Sequence, residues 1–131
     1  MQAQATARYL RTGDRKVGAV LKLIRGKKVE EALNVLRFTE RRAAEMVEKA
    51  LRSAIANGNQ GEAKLDMAKA RVVSCVANQG GVMRNAKRFI PRAMGRASGI
   101  RKKQTHLTIV LSDEPAVKAA AKAKAKATAK G

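Results

Sequence analysis

Apolar residues recur at the spacing of one helix face three times within the first 60 residues. In the first of these segments, Thr12 is a suitable N-cap and Gly26 a suitable stop. The apolar stripe between them consists of Val17, Val20, Leu21 and Ile24. The pattern therefore predicts an amphipathic helix between Thr12 and Gly26.

Two further helices are predicted by the same spacing. The second ends near Phe38, and its stripe consists of Val29, Ala32, Leu33 and Leu36. Thr39 is a suitable cap for a third and longer helix, which the turn-tolerant residues 57–61 should end. The predicted buried stripe of this helix consists of Ala43, Val47, Ala50, Leu51, Ala54 and Ile55.

A period of two residues marks three predicted strands. Apolar and polar residues alternate loosely over residues 3–10, which predicts a short edge strand. One side of this strand would carry Ala3, Ala5, Ala7 and Tyr9. In a second stretch, Val72, Ser74 and Val76 alternate with Val73 and Cys75. In the third, Leu107, Ile109 and Leu111 alternate with Thr108 and Val110. The last two stretches are typical of strands with one face on a core.

About thirty residues rich in Gly and Arg separate the last two strands, and they contain no apolar stripe for a second core. A structureless loop of this length is unusual inside a compact domain. We therefore predict that both strands continue outward as a long antiparallel hairpin over about residues 78–104, turning near residues 91–95. Because a bare two-stranded ribbon is marginally stable in water, this hairpin should need a partner to fix its shape.

The predicted fold class is α+β, with three helices packed on a small three-stranded antiparallel sheet from which the long β-hairpin extends. A chain of 131 residues has room for one domain, assigned to residues 1–113, and a tail. Residues 114–131 are almost entirely Ala and Lys. They lack bulky apolar side chains and place like charges four residues apart, so we predict a disordered basic tail.

The positive charge of the chain predicts a polyanionic partner. The chain has a formal net charge of +19, and between Met67 and Ser112 it has ten Lys or Arg residues and no Asp or Glu. A segment of one charge sign repels itself until a polyanion lies along it, and nucleic acid is the commonest such partner. Since aromatic residues make up only 2% of the chain, phosphate contacts are favoured over stacking on unpaired bases.

The candidate RNA-binding residues are cations with few acidic neighbours, together with one histidine. In the first part of the chain they are Arg8, Arg11, Arg15, Lys16, Lys22, Arg25, Lys27 and Lys28. In and after the predicted hairpin they are Arg84, Lys87, Arg88, Arg92, Arg96, Arg101, Lys102, Lys103 and His106. Charges of mixed sign on the helices are interpreted as a solvated face, formed by Glu30, Glu31, Arg41, Arg42, Glu45, Glu48, Lys49 and Arg52.

The sequence contains no catalytic constellation. His106 is the one histidine and Cys75 the one cysteine, so neither an oriented catalytic pair nor a His/Cys metal cluster is expected. The glycines match no phosphate-cradling motif. We predict no enzymatic activity, no cofactor and no metal. The single cysteine suits a reducing compartment, and no apolar run is long enough to span a bilayer, so an intracellular, soluble protein is expected.

Four stretches resemble, in order and spacing, the bacterial large-subunit ribosomal protein L22 (uL22) family. They are residues 24–29 with Ala32-Leu33, residues 53–57, residues 87–97 and residues 105–109. The resemblance covers roughly residues 3–113. It implies a structural constituent of the large ribosomal subunit, present in one copy per ribosome in the cytoplasm, that binds 23S rRNA and supports assembly.

The resemblance also implies where the hairpin lies. In this family the hairpin runs inward between rRNA domains, and its tip lines the polypeptide exit tunnel beside ribosomal protein L4, where nascent polypeptide passes. The corresponding tip residues here are Pro91, Arg92, Ala93, Met94, Gly95 and Arg96. The family also links hairpin changes to macrolide response, and for this chain that link is a hypothesis.

Three features depart from the usual family pattern. The stretch from Gly80 to Pro91 is about three residues longer, which predicts a longer or bulged hairpin. Asn78-Gln79 stand where acidic residues are common, and the Ala/Lys tail has no counterpart in the short family form. The tail also suggests the main alternative, a DNA-compacting protein. A membrane-active basic protein is a weaker alternative, because no helix combines a basic face with bulky interfacial anchors.

Overall fold

A computed structural model describes residues 1–60, 65–83 and 88–113. It contains the three predicted helices, α1 (Asp14–Ile24), α2 (Val29–Arg37) and α3 (Arg42–Gln60). The strands are β1 (Gln2–Leu10), β2 (Arg71–Val82), β3 (Arg88–Pro91), β4 (Ala97–Ile100) and β5 (Lys103–Ser112). The α+β class is confirmed. The predicted tail, residues 114–131, lies outside the described residues.

The main sheet is antiparallel and has the strand order β1-β5-β2. The central strand β5 alternates as predicted, and its inward residues Leu107, Ile109 and Leu111 are fully buried. The strand β1 lies at an edge, as its loose alternation predicted. The sheet is therefore anchored to the core through β5, which also carries one strand of the hairpin away from the body.

The helices cover one face of this sheet with their predicted apolar stripes. Val17, Val20, Leu21 and Ile24 of α1 are buried, as are Ala43, Val47, Ala50, Leu51 and Ala54 of α3. The helix α3 continues through Gly58 to Gln60, although residues 57–61 predicted its end. A Cβ atom at Gly58 would lie 3.1 Å from the Cβ atoms of Ala3 and Leu65. Gly58 therefore allows close packing of α3 against β1.

Two predicted helix caps are wrong. The N-cap of α1 is Gly13 and makes no side-chain cap bond, whereas the Thr12 hydroxyl donates to Met46 Sδ at 3.3 Å. The Thr39 hydroxyl donates backward to the Val35 carbonyl oxygen at 2.6 Å, so it closes the end of α2. In both places a tertiary or neighbouring acceptor competes with the local cap. The predicted stop at Gly26 is correct, since α1 ends at Ile24 and Gly26 has φ +78°.

Bulges change the face of several strand residues. The register of β2 against β5 shifts between Val72 and Ser74, so Val72 and Cys75 both point inward and Val76 is exposed. A shift between Ala7 and Leu10 turns Tyr9 outward, where it has φ +56° and is 63% exposed. The predicted alternation is therefore wrong at these positions, because an extra residue reverses the inward side.

The predicted hairpin is present. Beyond the main sheet, β3 pairs with β4 from Arg88–Ile100 to Pro91–Ala97. The turn lies between these strands, with φ +59° at Met94 and +67° at Gly95. Every residue from 88 to 99 is exposed, so this part of the chain has no core of its own.

The outgoing strand of the hairpin is longer than the returning strand. A register shift between Gln79 and Val82 forms a bulge. Farther out, six positions separate Val82 from Arg88, whereas three separate their partners Lys103 and Ile100. A bulge is therefore present at the base of the hairpin, and the greater length relative to the family stays a prediction. Residues 84–87, which include the candidates Arg84 and Lys87, lie outside the described residues.

The burial of β5 predicts a matched pair of stability effects. Ile109→Ala should lower the free energy of unfolding by about 2–5 kcal/mol, because it leaves a cavity in the core. The adjacent Val110 points to the other face and is partly exposed, so Val110→Ala should cost about 1 kcal/mol. Urea denaturation of both variants checks this, and equal losses would contradict the assigned inward face.

Candidate nucleic-acid interface

The outer part of the hairpin presents cations on β3 and at its turn, and it has no acidic residue among its described positions. Arg88 lies on β3, and Arg92 and Arg96 flank the turn, all of them exposed. The Arg92 N–H donates to the Arg96 carbonyl oxygen at 2.8 Å, so these two residues face each other across the turn. Met94 stands at the end and is 92% exposed. The predicted tip residues are thus all solvent-exposed in the isolated chain.

At the foot of the hairpin the chain forms a groove of about 740 Å³. The described residues that line it include seven cations, and we call this surface the basic groove: Arg11, Lys16, Arg41, Arg42, Arg101, Lys102 and Lys103. None of the described lining residues is acidic. The fold therefore brings together five predicted RNA-binding residues from two distant segments, residues 11–16 and 101–103, and adds Arg41 and Arg42 from a third.

Sequence reasoning missed Arg41 and Arg42, which it assigned to a solvated face of mixed charge. Farther along α3 that interpretation describes the structure well, because Lys49 contacts Glu45 at 2.9 Å and Arg52 contacts Glu48 at 2.6 Å. The hydrogen bond from Lys49, followed by its charge, lowers the pKa of Glu45. Among the described residues, no ion pair involves Arg41 or Arg42. Only their position beside the hairpin distinguishes them.

The other predicted cations of the body lie outside the basic groove, among the residues that the structure describes. Arg15 and Arg25 line a shallower depression with Asp14 and Lys22. The Arg25 guanidinium donates to the Cys75 carbonyl oxygen at 3.0 Å, which ties the end of α1 to β2. Lys27 and Lys28 are exposed. The backbone of Lys27 is held to β2, because its carbonyl oxygen accepts a hydrogen bond from the Val72 N–H at 3.0 Å. Arg8 is exposed on β1.

His106 lies on the central strand β5 and contacts residues of both neighbouring strands, β1 and β2. Its Nδ1 accepts a hydrogen bond from the Tyr9 N–H at 3.2 Å, and the Tyr9 ring meets the imidazole edge-to-face at 4.7 Å between centroids. A Cβ atom at Gly80 would lie 3.2 Å from His106 Nε2. These contacts give His106 a structural role in holding the β1 bulge. Its contact with RNA stays a prediction.

The described residues offer no arrangement for catalysis or metal binding. They contain no group of three or more His, Cys, Asp or Glu placed to hold a metal ion. Cys75 is buried, and its Sγ lies 3.6 Å from the Leu21 carbonyl oxygen. No helix among the described residues combines the length and apolar character needed to cross a membrane.

The α+β body and its exposed basic hairpin belong to a ribosomal protein, as comparison with known families shows. The model of the family described as ribosomal protein L22p/L17e matches residues 5–112. This chain therefore belongs to the ribosomal protein L22p/L17e family, which confirms the predicted resemblance. Membership of this family of structural proteins also confirms that the chain is not an enzyme.

Curated relatives agree over most of the chain. The large ribosomal subunit protein uL22 of Clostridioides difficile is 46% identical over 114 residues, covering 87% of this chain and 99% of that protein. The protein of the same name from Thermoanaerobacter sp. strain X514 is 48% identical with the same coverage. The one from Myxococcus xanthus is 45% identical over 116 residues, covering 86% of this chain and 97% of that protein.

The role of His106 can be tested through hydrogen exchange. His106→Ala should speed exchange of the Tyr9 amide hydrogen, because its acceptor is lost, and should cost about 0.5–1.5 kcal/mol of stability. Thr108→Ala is the matched control, since it lies on the same strand and faces Thr6 instead. Amide exchange followed by NMR measures both. Unchanged protection of Tyr9 in His106→Ala would refute the structural role.

Proposed function

We propose that this protein is a structural constituent of the large ribosomal subunit that binds 23S rRNA in the cytoplasm, supports subunit assembly and lines the exit tunnel with its hairpin tip. The observation that carries the proposal is the exposed hairpin, which has cations on β3, at its turn and at its base, with no acidic residue between Met67 and Ser112. Family membership supports the assignment to the ribosome.

The proposed mechanism is electrostatic and geometric. RNA segments repel one another as they converge, and Lys and Arg side chains placed between them neutralise their phosphates. The hairpin supplies such side chains along a narrow structure only two strands wide. Backbone contacts of this kind recognise the shape of folded RNA and do not read base edges. Assembly is assisted because the hairpin fixes the relative positions of the segments.

The hairpin tip is suited to forming part of the wall of the exit tunnel. Its turn is closed by the Arg92–Arg96 backbone hydrogen bond at 2.8 Å, and the residues between these arginines are Ala93, Met94 and Gly95. We propose that these residues, with Pro91, face the nascent polypeptide and lie beside ribosomal protein L4. One copy of the protein per ribosome fits this arrangement.

A DNA-compacting protein is the second candidate, and the Lys/Ala composition of residues 114–131 favours it. Such a protein binds duplex DNA through phosphates and wraps or bends it. The L22p/L17e match over residues 5–112 favours the ribosome instead. The two candidates differ in where the protein is found in a lysate.

On sucrose gradients at raised salt, the protein should sediment with the large ribosomal subunit. Replacing Arg88, Arg92 and Arg96 with Gln should release it at lower salt, because three phosphate contacts are lost. The matched control replaces Arg37, Lys49 and Arg52, which form ion pairs with acidic residues on α3, and should stay bound. Recovery of the unmodified protein only as free protein or with the nucleoid would refute the assignment.

The tunnel position is tested by crosslinking. A photoreactive amino acid in place of Met94 should crosslink to short nascent peptides in stalled ribosomes. The same amino acid in place of Phe38 is the control, since Phe38 is 86% exposed but lies on the body. Crosslinks from neither position, or from position 38 alone, would contradict a tip that lines the tunnel.

A further inference from the structure

We propose that the basic groove is a second RNA site, which binds the phosphodiester backbone of one RNA segment at the point where the hairpin leaves the body. Arg41 and Arg42 are part of this site, although their sequence context predicts a solvated face. The inference rests on the proposed function for the identity of the RNA. It adds a contact made jointly by the body and the hairpin.

Three walls form the basic groove, and the backbone of each is fixed by hydrogen bonds. The loop carrying Arg11 is held by Thr12, whose carbonyl oxygen accepts a bond from the buried Thr105 hydroxyl at 2.6 Å. The wall from the hairpin is held by the bond from the Met83 N–H to the Lys102 carbonyl oxygen at 3.0 Å. The backbone of the groove is thus a property of the fold.

The third wall is the start of α3. The Arg41 N–H donates to the Thr39 carbonyl oxygen at 2.8 Å, and the Ala44 N–H donates to the Arg41 carbonyl oxygen at 2.7 Å. Ala43 and Ala44 are buried, so the core fixes the helix directly behind Arg42. This anchoring places both arginines beside the base of the hairpin.

Charge makes the basic groove a site for an anion. Its seven cations converge, and no acidic residue is found among the described residues that line it. Arg42 does act on the nearby Glu45, but the main partner of that carboxylate is Lys49. The groove therefore holds a net positive potential, and a bound phosphate relieves the repulsion among its cations.

The extent of the groove favours an RNA backbone over a single small anion. The cations come from segments on both the body and the hairpin, and Arg101, Lys102 and Lys103 continue the charged surface toward β4. A polyanion satisfies all of these positions together and releases the counterions that they hold. Because its phosphates contact both walls, the bound RNA would also fix the direction of the hairpin relative to the body.

The test compares two double variants of the full chain that lose the same charge from the same helix. Arg41→Gln with Arg42→Gln removes two cations from the basic groove. Lys49→Gln with Arg52→Gln removes two cations that are paired with Glu45 and Glu48 outside it. Binding to purified large-subunit rRNA is measured between 50 and 200 mM salt, with circular dichroism as the check on folding. Small-subunit rRNA and inorganic phosphate serve as competitors.

The groove variant should bind more weakly, and its plot of log affinity against log salt should be shallower by about 1 to 2, since each lost phosphate contact removes roughly one counterion. The slope of the helix variant should equal that of the unmodified chain. Equal slopes in both double variants would overturn the proposal. So would full displacement of the RNA from the groove by inorganic phosphate at millimolar concentration.

The proposed function is judged separately from these slopes. If the unmodified chain binds small-subunit and large-subunit rRNA equally, the assignment to large-subunit rRNA fails. The groove is still supported in that case if only the Arg41 and Arg42 replacements flatten the salt dependence.

Discussion

Repulsion among like charges is the constraint on which the rest of this molecule depends. The hairpin has cations on β3, at its turn and at its base, residues 88–99 are all exposed, and no acidic side chain lies between Met67 and Ser112 to offset them. A two-stranded ribbon of this kind has few apolar contacts with which to oppose the repulsion. Under the proposed function, bound RNA supplies the missing stability, and the shapes of the RNA and of the hairpin are fixed together.

The body provides the rigid base that such a hairpin requires. The strand β5 lies in the middle of the main sheet, and its inward side chains are fully buried under the helices. The returning strand of the hairpin runs directly into β5. The exposed ribbon is therefore continuous with the buried central strand of the sheet. Small residues at the contact of α3 and β1, Gly58 and Ala3 among them, allow this core to form with few aromatic side chains.

Local sequence patterns predicted the helices and strands well, but they predicted the helix caps and the faces of some strand residues less well. The helix stripes and the alternation of β5 depend on periods that survive in the fold, so they were read correctly from the chain. The caps at Thr12 and Thr39 were wrong because acceptors outside the predicted helices took their hydroxyl groups. The predictions that Tyr9 lies on the same side as Ala3 and Ala5, and Val76 on the same side as Val72, were wrong. A bulge reverses the alternation in each strand, and no local residue pattern indicates the extra residue.

The sequence by itself determined the class of fold and the presence of an acid-free hairpin, and it indicated a polyanionic partner, because periodicity and net charge are sums over neighbouring residues. Only the tertiary structure decided which cations act together. Arg41 and Arg42 follow Glu40 and precede Glu45, so their neighbours in sequence predict a mixed, solvated face. The packing of α3 beside the hairpin places them instead among Arg11, Lys16 and Lys102. Electrostatic potential depends on distance in space, and that distance is set by the core.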